Sequence, residues 1–442
     1  MVSLMNKAGG SAAFGQWASR HVKSKTGVQL ATIVLGILIF IDDYFNCLTV
    51  GSVMRPIAIR NGVTKEKLAY LIDSTAAPVC IISPISSWAA AVSGFVSGGE
   101  NGLALFCQAI PFNFYAFFTI IFMTSIVLAG FDFKAMSKYD VNLKDYAADD
   151  NGKLNEVSDT KLKVVKHGVD AKNNNLNKGS VLDLVIPILI LIASCIAGMV
   201  YSGGFFDSSS KCHLDFVGAF AASDASVGLV IGSLAAFLLT VIMFTARKAL
   251  PFDEAMSSLI KGFEAMVPAI LILTLAWTLK SMTDSLGAAE YVSSAVAGSA
   301  AELQMLLPAI IFIVAAFLAF ATGTSWGTFG ILIPICIAVF SADDALRIIS
   351  ISACMAGAVC GDHISPISDT TIMASAGAEC KHVNHVASQM PYAITVATVS
   401  CLTFVVAGFT HSLGMAASAA ISWGAGMVLM GISLFILKRM HT

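Results

Sequence analysis

The pentapeptide Ile-Ser-Pro-Ile-Ser occurs twice in the 442-residue chain, at residues 82–86 and 364–368, each time inside a long apolar stretch. Proline removes a backbone donor and clashes with the turn before it, so Pro84 and Pro366 interrupt any helix that contains them. In hydrocarbon no water satisfies the freed N–H and C=O groups. Such breaks therefore persist only where protein or a polar cavity surrounds them. Two matching breaks are what a fold of two repeats would show, each repeat supplying a discontinuous helix whose exposed ends hold an ion or solute near the membrane midplane.

Breaks of this kind need a bilayer around them, and the composition points to one. The chain is 57% hydrophobic and 12% charged, with a mean hydropathy of +0.80. That is too apolar for a soluble domain of this size. An all-α polytopic membrane protein is expected. The net charge of −2 gives no basic surface for nucleic acid. Of the ten cysteines, Cys47, Cys80, Cys107, Cys195, Cys336, Cys354, Cys360 and Cys401 lie in or beside apolar segments without metal-ligand spacing, and they read as small core residues. The start carries no secretory signal pattern. Residues 1–5 are apolar and run directly into Asn6-Lys7-Ala8-Gly9-Gly10, which reads as the tail of a membrane helix in an N-terminally shortened chain.

Apolar spans are expected at 28–55, broken at Asp42-Asp43; at 68–96, broken over 83–87; at 103–130; and at 181–202, 227–246 and 266–282. Residues 291–301 are too few to span and would be re-entrant. Further spans follow at 305–340, broken around 322–328; 348–378, broken around 361–371; 391–409; and 415–437, for about ten crossings. A first transmembrane repeat would occupy residues 1–130, a hydrophilic linker 131–180, and further helices with the second repeat 181–442. The segment 131–179 holds nine Lys and eight Asp or Glu without helical periodicity, as a flexible linker would. Its lysines and Arg247-Lys248 fit one cytoplasmic face, because the loop 203–226 between them holds only Lys211.

The similarity of the halves extends past the pentapeptide. The shift that carries position 82 onto 364 also carries Asp42-Asp43 onto Thr324-Ser325, and Arg55-Pro56-Ile57 falls close to Ile333-Pro334-Ile335.

A carboxylate within a membrane segment costs roughly 2.5–3.5 kcal/mol even on the lenient insertion scale, so each is a functional candidate. Asp42 and Asp43 close an apolar run; the plainer alternative makes them helix caps at the interface. Asp73 precedes the first Ser-Pro-Ile-Ser, and its plainer role is pairing with Lys65 or Lys67. Asp362, His363 and Asp369 bracket the second break in the densest polar cluster of any apolar region, with Asp362 and Asp369 as candidate Na+ ligands. Thr324 and Ser325 would serve the same site from the neighbouring span, beside Gly323 and Gly327. Helix breaks are expected at Ser83, Pro84 and Ser86, and at Ser365, Pro366 and Ser368. Lys261, Glu264, Lys280 and Asp284 read as interfacial pairs.

A desolvated carboxylate beside another carboxylate holds a proton in the pH range of a cell. Such a group takes either a proton or a sodium ion, and competition for one site suffices for exchange. His363, of ordinary pKa about 6.5, would supply pH sensing or a proton relay.

In Asp42-Asp43-Tyr44-Phe45-Asn46, Asp73-Ser74-Thr75-Ala76-Ala77-Pro78, Thr322-Gly323-Thr324-Ser325-Trp326-Gly327 and Gly361-Asp362-His363-Ile364-Ser365-Pro366-Ile367-Ser368-Asp369-Thr370, the chain resembles the NhaC-type sodium/proton antiporter family, within the ion transporters built from inverted repeats with re-entrant hairpins. The resemblance covers nearly the whole chain. It implies a multi-pass protein of a prokaryotic inner membrane that exchanges Na+ for H+, with no cofactor beyond these transported ions and with homodimer formation open. The family also includes malate/lactate exchangers and suspected amino-acid carriers, so a Na+- or H+-coupled carrier of a small carboxylate or amino acid is the alternative, in which Arg55 would clamp the carboxylate. An intramembrane aspartyl protease using Asp43 and Asp362 would leave the repeat unexplained, and a passive channel would show flux far above a carrier cycle.

Overall fold

The computed structural model describes residues 1–22, 24–96, 100–139, 179–287 and 301–441. Most of the expected linker and nearly all of the short apolar piece at 291–301 lie outside these residues. The first part of the chain forms α1 (Val2–Lys7), α2 (Gly10–His21), α3 (Lys25–Leu38), α4 (Asp43–Arg60), α5 (Lys65–Asp73), the single turn α6 (Ala77–Cys80), α7 (Ser87–Ser93), α8 (Gly102–Ala109) and α9 (Phe114–Ala129). The middle forms α10 (Leu182–Ser202), α11 (Phe216–Ala221), α12 (Ala225–Ala246) and α13 (Phe252–Ser285). The last part forms α14 (Ala301–Thr322), α15 (Ser325–Val339), α16 (Ala345–Ile364), α17 (Asp369–Ala378), α18 (His382–Thr410) and α19 (Met415–His441). Among the described residues there is no strand.

Among the described residues, seven helices are long and apolar enough to cross a membrane: Phe114–Tyr139, Leu182–Ser202, Val227–Ala246, Gln304–Thr322, Ala345–Ile364, His382–Leu413 and Met415–Met440. Lys25–Leu38, Gly102–Phe112 and Ser325–Val339 are apolar but shorter. The protein is therefore an all-α, multi-pass membrane protein. Leu189, Val230, Phe317 and Phe435 project outward, a liability in water that becomes favourable contact in lipid. α16 is the central post, with 94% of its apolar window buried against 17% for α19 at the rim. Small residues let α16 in so closely. A Cβ on Gly357 would sit 2.9 Å from the Ala315 Cβ, and one on Gly361 would strike the backbone of α14 at Ala316 and Phe320.

The breaks fall where caps and prolines place them, and several are narrower than the sequence suggests. α3 stops before residues 39–42 and Asp43 already lies in the first turn of α4, so the break precedes Asp43 instead of centring on it. The break near Thr322 is only Gly323 and Thr324, with Gly323 at φ +68° where a side chain would be strained. The last break is residues 365–368, which leaves Asp362 and His363 on α16. Two interruptions come in addition. Residues 74–76 separate α5 from α6, and Pro111 with the capping residue Asn113 divides the run 103–130 into α8 and α9.

The two halves share their local design. Asp42 caps α4 at φ −154°, ψ 133°, and Thr324 caps α15 at φ −152°, ψ 133°. Ser86 accepts from the Ala89 amide at the head of α7, as Ser368 does from the Thr371 amide at the head of α17. Both pairs stand at the same sequence interval as the two copies of the pentapeptide.

Candidate cation site

Asp42 and Asp43, adjacent in sequence, have opposite environments. Asp42 is satisfied: Oδ1 accepts from the Phe45 amide at 2.9 Å and Oδ2 from Ser87 Oγ at 3.1 Å. The Ser87 amide also donates to Ile41 O at 2.8 Å, so the first break is fastened to the end of the first Ser-Pro-Ile-Ser. Asp43 is 1% exposed, and neither of its carboxylate oxygens has a donor in hydrogen-bonding geometry; the buried indole N–H of Trp88, itself without a partner, is a neighbouring donor. A buried acceptor left in that state costs roughly 1–3 kcal/mol, and more when charged.

α17 brings a second carboxylate to the same place. Asp369 Oδ1 accepts from the Thr370 amide at 2.8 Å, and Oδ2 accepts from the hydroxyl of Tyr44 on α4. Cys47 Sγ faces Thr370 O at 3.8 Å, and further along Gly51 lies against Gly377. α4 and α17 thus run side by side in the same direction, with their N-termini level. Each N-terminus carries partial positive charge, which stabilises a nearby carboxylate by about 0.3–1 kcal/mol.

α16 contributes the third group from its C-terminal turn. Asp362 Oδ2 accepts from Ser325 Oγ at 3.0 Å, while Oδ1 has no donor. Ser365 Oγ donates to Phe320 O at 2.8 Å, which pins the second Ser-Pro-Ile-Ser against α14. A Cβ on Gly323 would lie 2.6 to 2.9 Å from Ile367, so the break before α15 touches the break before α17. Trp88 and Trp326 join the halves, with ring centroids 4.6 Å apart. The result is one site in which Asp43 feels the charges of Asp42, Asp362 and Asp369.

A histidine network adjoins it. His363 hydrogen-bonds through Nδ1 to Tyr115 Oη at 2.9 Å and through Nε2 to Ser74 Oγ at 3.2 Å. Asp73 Oδ2 is held by Gln389 Nε2 at 2.8 Å and His385 Nε2 at 3.1 Å. Gln389 Nε2 also donates to His363 O, and so links Asp73 to the helix turn that carries Asp362.

The structure therefore brings Asp42, Asp43, Asp362, Asp369 and Ser325 together, and places Asp73 and His363 in the adjoining network. Thr324 acts on the backbone, its Oγ1 accepting from the Trp326 amide at 3.3 Å. Ser83 and Pro84 lie between α6 and α7, where Ser86 Oγ donates to Cys80 O and Ser83 O at 2.8 Å each. Pro366 O meets His382 Nε2 at 2.7 Å between α16 and α17. Lys67 pairs at 2.5 Å with Asp132 and not with Asp73, and Arg55 pairs at 2.9 Å with Glu379. Lys261 and Glu264 are exposed on α13, and the side chains of Lys280 and Asp284 lie outside the described residues. Tyr44 and Ser74 stand in the sequence motifs without an assigned partner, and sequence reasoning missed Ser87, Tyr115, His385 and Gln389. His385 and Gln389 had a signal, two polar residues four apart at the head of an apolar span; Tyr115 had none.

Among the described residues, no group of three or more His, Cys, Asp or Glu side chains is placed to hold a resident metal ion. The bare oxygens are hard donors instead, the type that small hard cations prefer.

Broken helices that meet at buried carboxylates within a multi-span bundle mark a secondary transporter. The chain matches the Na+/H+ antiporter family over residues 79–409 and belongs to it. It is 35% identical over 433 residues to an uncharacterized protein of Haemophilus influenzae, covering 95% of this chain and 78% of that one. Shorter matches include an uncharacterized Na+/H+ antiporter of Haemophilus influenzae, 32% identical over 120 residues and 26% of each chain. Another is the malate-2H+/Na+-lactate antiporter of Bacillus subtilis, 31% identical over 116 residues, 25% of this chain and 24% of that one.

Proposed function

We propose that this protein is a Na+/H+ antiporter of a prokaryotic inner membrane, in which Na+ and protons compete for Asp43, Asp362 and Asp369. The observation that carries this reading is the set of buried, donorless oxygens on Asp43 and Asp362, at the meeting point of two broken helices. A bare buried carboxylate is too costly to persist, and three more carboxylates nearby add repulsion. A proton or a cation relieves both. Na+ would be drawn to the bare oxygens of Asp43 and Asp362, beside the hydroxyl of Ser325 and within the field of Asp369. The proton-loaded site is neutralised at the same carboxylates. A site that carries neither keeps its full negative charge, which the low-dielectric barrier penalises most. Only the loaded forms then cross, and exchange is obligatory.

His363 abuts Asp362 in the chain, and the hydrogen bonds of Ser74, Tyr115 and Gln389 hold it against Asp73 and His385; this network would hand protons to and from the carboxylates. The charge pairing supports ion exchange over transport of an organic acid. Lys67 is held by Asp132, Arg347 by Glu100 at 2.7 Å and Arg55 by Glu379, so each of these cations already has its carboxylate.

Proton release tests the proposal. Na+ added to purified protein in weakly buffered detergent solution should acidify it, choline should not, and Asp362→Asn should reduce the release. Equal signals from Na+ and choline would refute competition.

A further inference from the structure

α4 carries Asp43, Asn46 and Thr49 at successive spacings of three, and all are at most 1% exposed. Residues three apart are neighbours on a helix surface, so these line one strip that runs from the first break into α4. Each holds oxygen without a donor: both carboxylate oxygens of Asp43, Asn46 Oδ1 and Thr49 Oγ1.

The orientation of Asn46 is chemically fixed. Its Nδ2 donates to Gly36 O at 2.7 Å, Ile39 O at 3.1 Å and Thr75 O at 2.8 Å. Turning the amide over would set its oxygen against three carbonyls, so Oδ1 must face away from them, and it is bare. Thr49 departs from the habit of helical threonines, which commonly bond back to the carbonyl four residues earlier. Thr32 and Thr403 do so, at 2.8 Å each. Thr49 makes no such bond. α17 lies alongside α4, and its Thr371 Oγ1 is likewise buried and bare. Native structures leave few such groups, and a contiguous row of them calls for an occupant.

We infer that Asn46 and Thr49 are ligands of the transported cation, extending the carboxylate site along α4 and setting its preference for a small cation; this rests on the cation-exchange reading above. Asn46 Oδ1 and Thr49 Oγ1 are neutral, so they replace water around the cation without adding negative charge beside Asp43. They act on the cation-loaded form and leave the proton-loaded form unchanged.

Thr49→Val is the clean test, because it removes a hydroxyl that has no partner and keeps the shape. The full chain in detergent is melted with NaCl, LiCl, KCl or choline chloride, and the same proteins are assayed in proteoliposomes for Na+-dependent proton movement. The wild type should melt at higher temperature as Na+ rises. In Thr49→Val the Na+ concentration for half the shift should rise about tenfold, equivalent to about 1.4 kcal/mol, while Thr49→Ser stays within about twofold. Without Na+, Thr49→Val should melt no lower than wild type. Asn46→Ala should weaken the Na+ response too, and should also melt lower without Na+ because three carbonyls lose their donor. A wild-type Na+ response in Thr49→Val overturns the assignment. If Na+ stabilises the wild type and Thr49→Val weakens that effect, but no protons move, the ligands stand and the exchange reading fails. If no alkali cation stabilises the wild type, both fail.

Discussion

Adding one methyl group to Gly51 should disable transport without touching a charged residue. A Cβ at this position would lie 2.6 Å from Gly377 Cα, 2.8 Å from its carbonyl carbon and 2.9 Å from its carbonyl oxygen. Carbon atoms rest comfortably at about 3.5–4.0 Å, so α4 and α17 must part by about 1 Å. The obstacle is backbone on both sides, and no rotamer change relieves it. Overpacking of this kind costs roughly 1–3 kcal/mol. The same two helices position Asp43 and Asp369, whose alignment depends on the Tyr44 hydroxyl. Tyr44 and Gly51 are separated by two turns of α4, about 10 Å along its axis. A misplacement of about 1 Å at such a site lowers turnover on the order of 100-fold. Thermal unfolding in detergent and Na+-dependent proton movement in proteoliposomes measure the two effects. Gly431→Ala is the control, because a Cβ there would meet no other atom. On α19 the change should be neutral or stabilising by up to about 1 kcal/mol. Wild-type stability and transport in Gly51→Ala would refute the close packing of α4 on α17 as the device that sets the site.

Other perturbations separate charge from architecture. Asp43→Asn should abolish Na+-coupled proton movement yet melt no lower than wild type without Na+, because it removes one of four mutually repelling carboxylates; a lower melting temperature would contradict the repulsion. Ser325→Ala removes the hydroxyl on Asp362. It should weaken apparent Na+ affinity on the order of 10-fold to 100-fold, from the roughly 1.5–3 kcal/mol of a hydrogen bond to a charged group, read as a rise in the KM for Na+. Lys67→Met takes the cation from Asp132, whose side chain is 14% exposed, and leaves it the Tyr392 hydroxyl. It should cost about 3–5 kcal/mol of stability, much of it recovered in Lys67→Met with Asp132→Asn, as a double-mutant cycle in denaturant would show.

Some of this arrangement was legible in the sequence, and the boundary has physical reasons. Pro84 and Pro366 announce breaks because proline acts on its own turn, and the carboxylates stand out because a membrane segment rarely tolerates them. The difference between Asp42 and Asp43 was invisible, since it depends on Ser87, 45 residues away, taking one carboxylate and leaving the other bare. The break at residues 74–76 was hidden because its satisfying donor is the side chain of Asn46. The run 103–130 looks continuous by hydropathy, yet Pro111 and Asn113 divide it, a cap signal that apolar neighbours conceal. His385 and Gln389 show the spacing of one helix face, but nothing local says that their partner is Asp73, far back in the first half of the chain. The glycines were legible only as glycines: the structure alone makes Gly51 and Gly377 partners, and those at 357 and 361 the seat of α14.

Exchange of Na+ for H+ at one carboxylate site can be read in a single flux measurement. Proteoliposomes carrying the protein and an internal pH-sensitive dye are diluted into NaCl, with choline chloride as the reference. Na+ outside should drive protons out and raise the internal pH, and vesicles carrying Asp362→Asn should give no more change than protein-free ones. An internal pH indifferent to Na+, or an Asp362→Asn signal equal to wild type, would contradict the account.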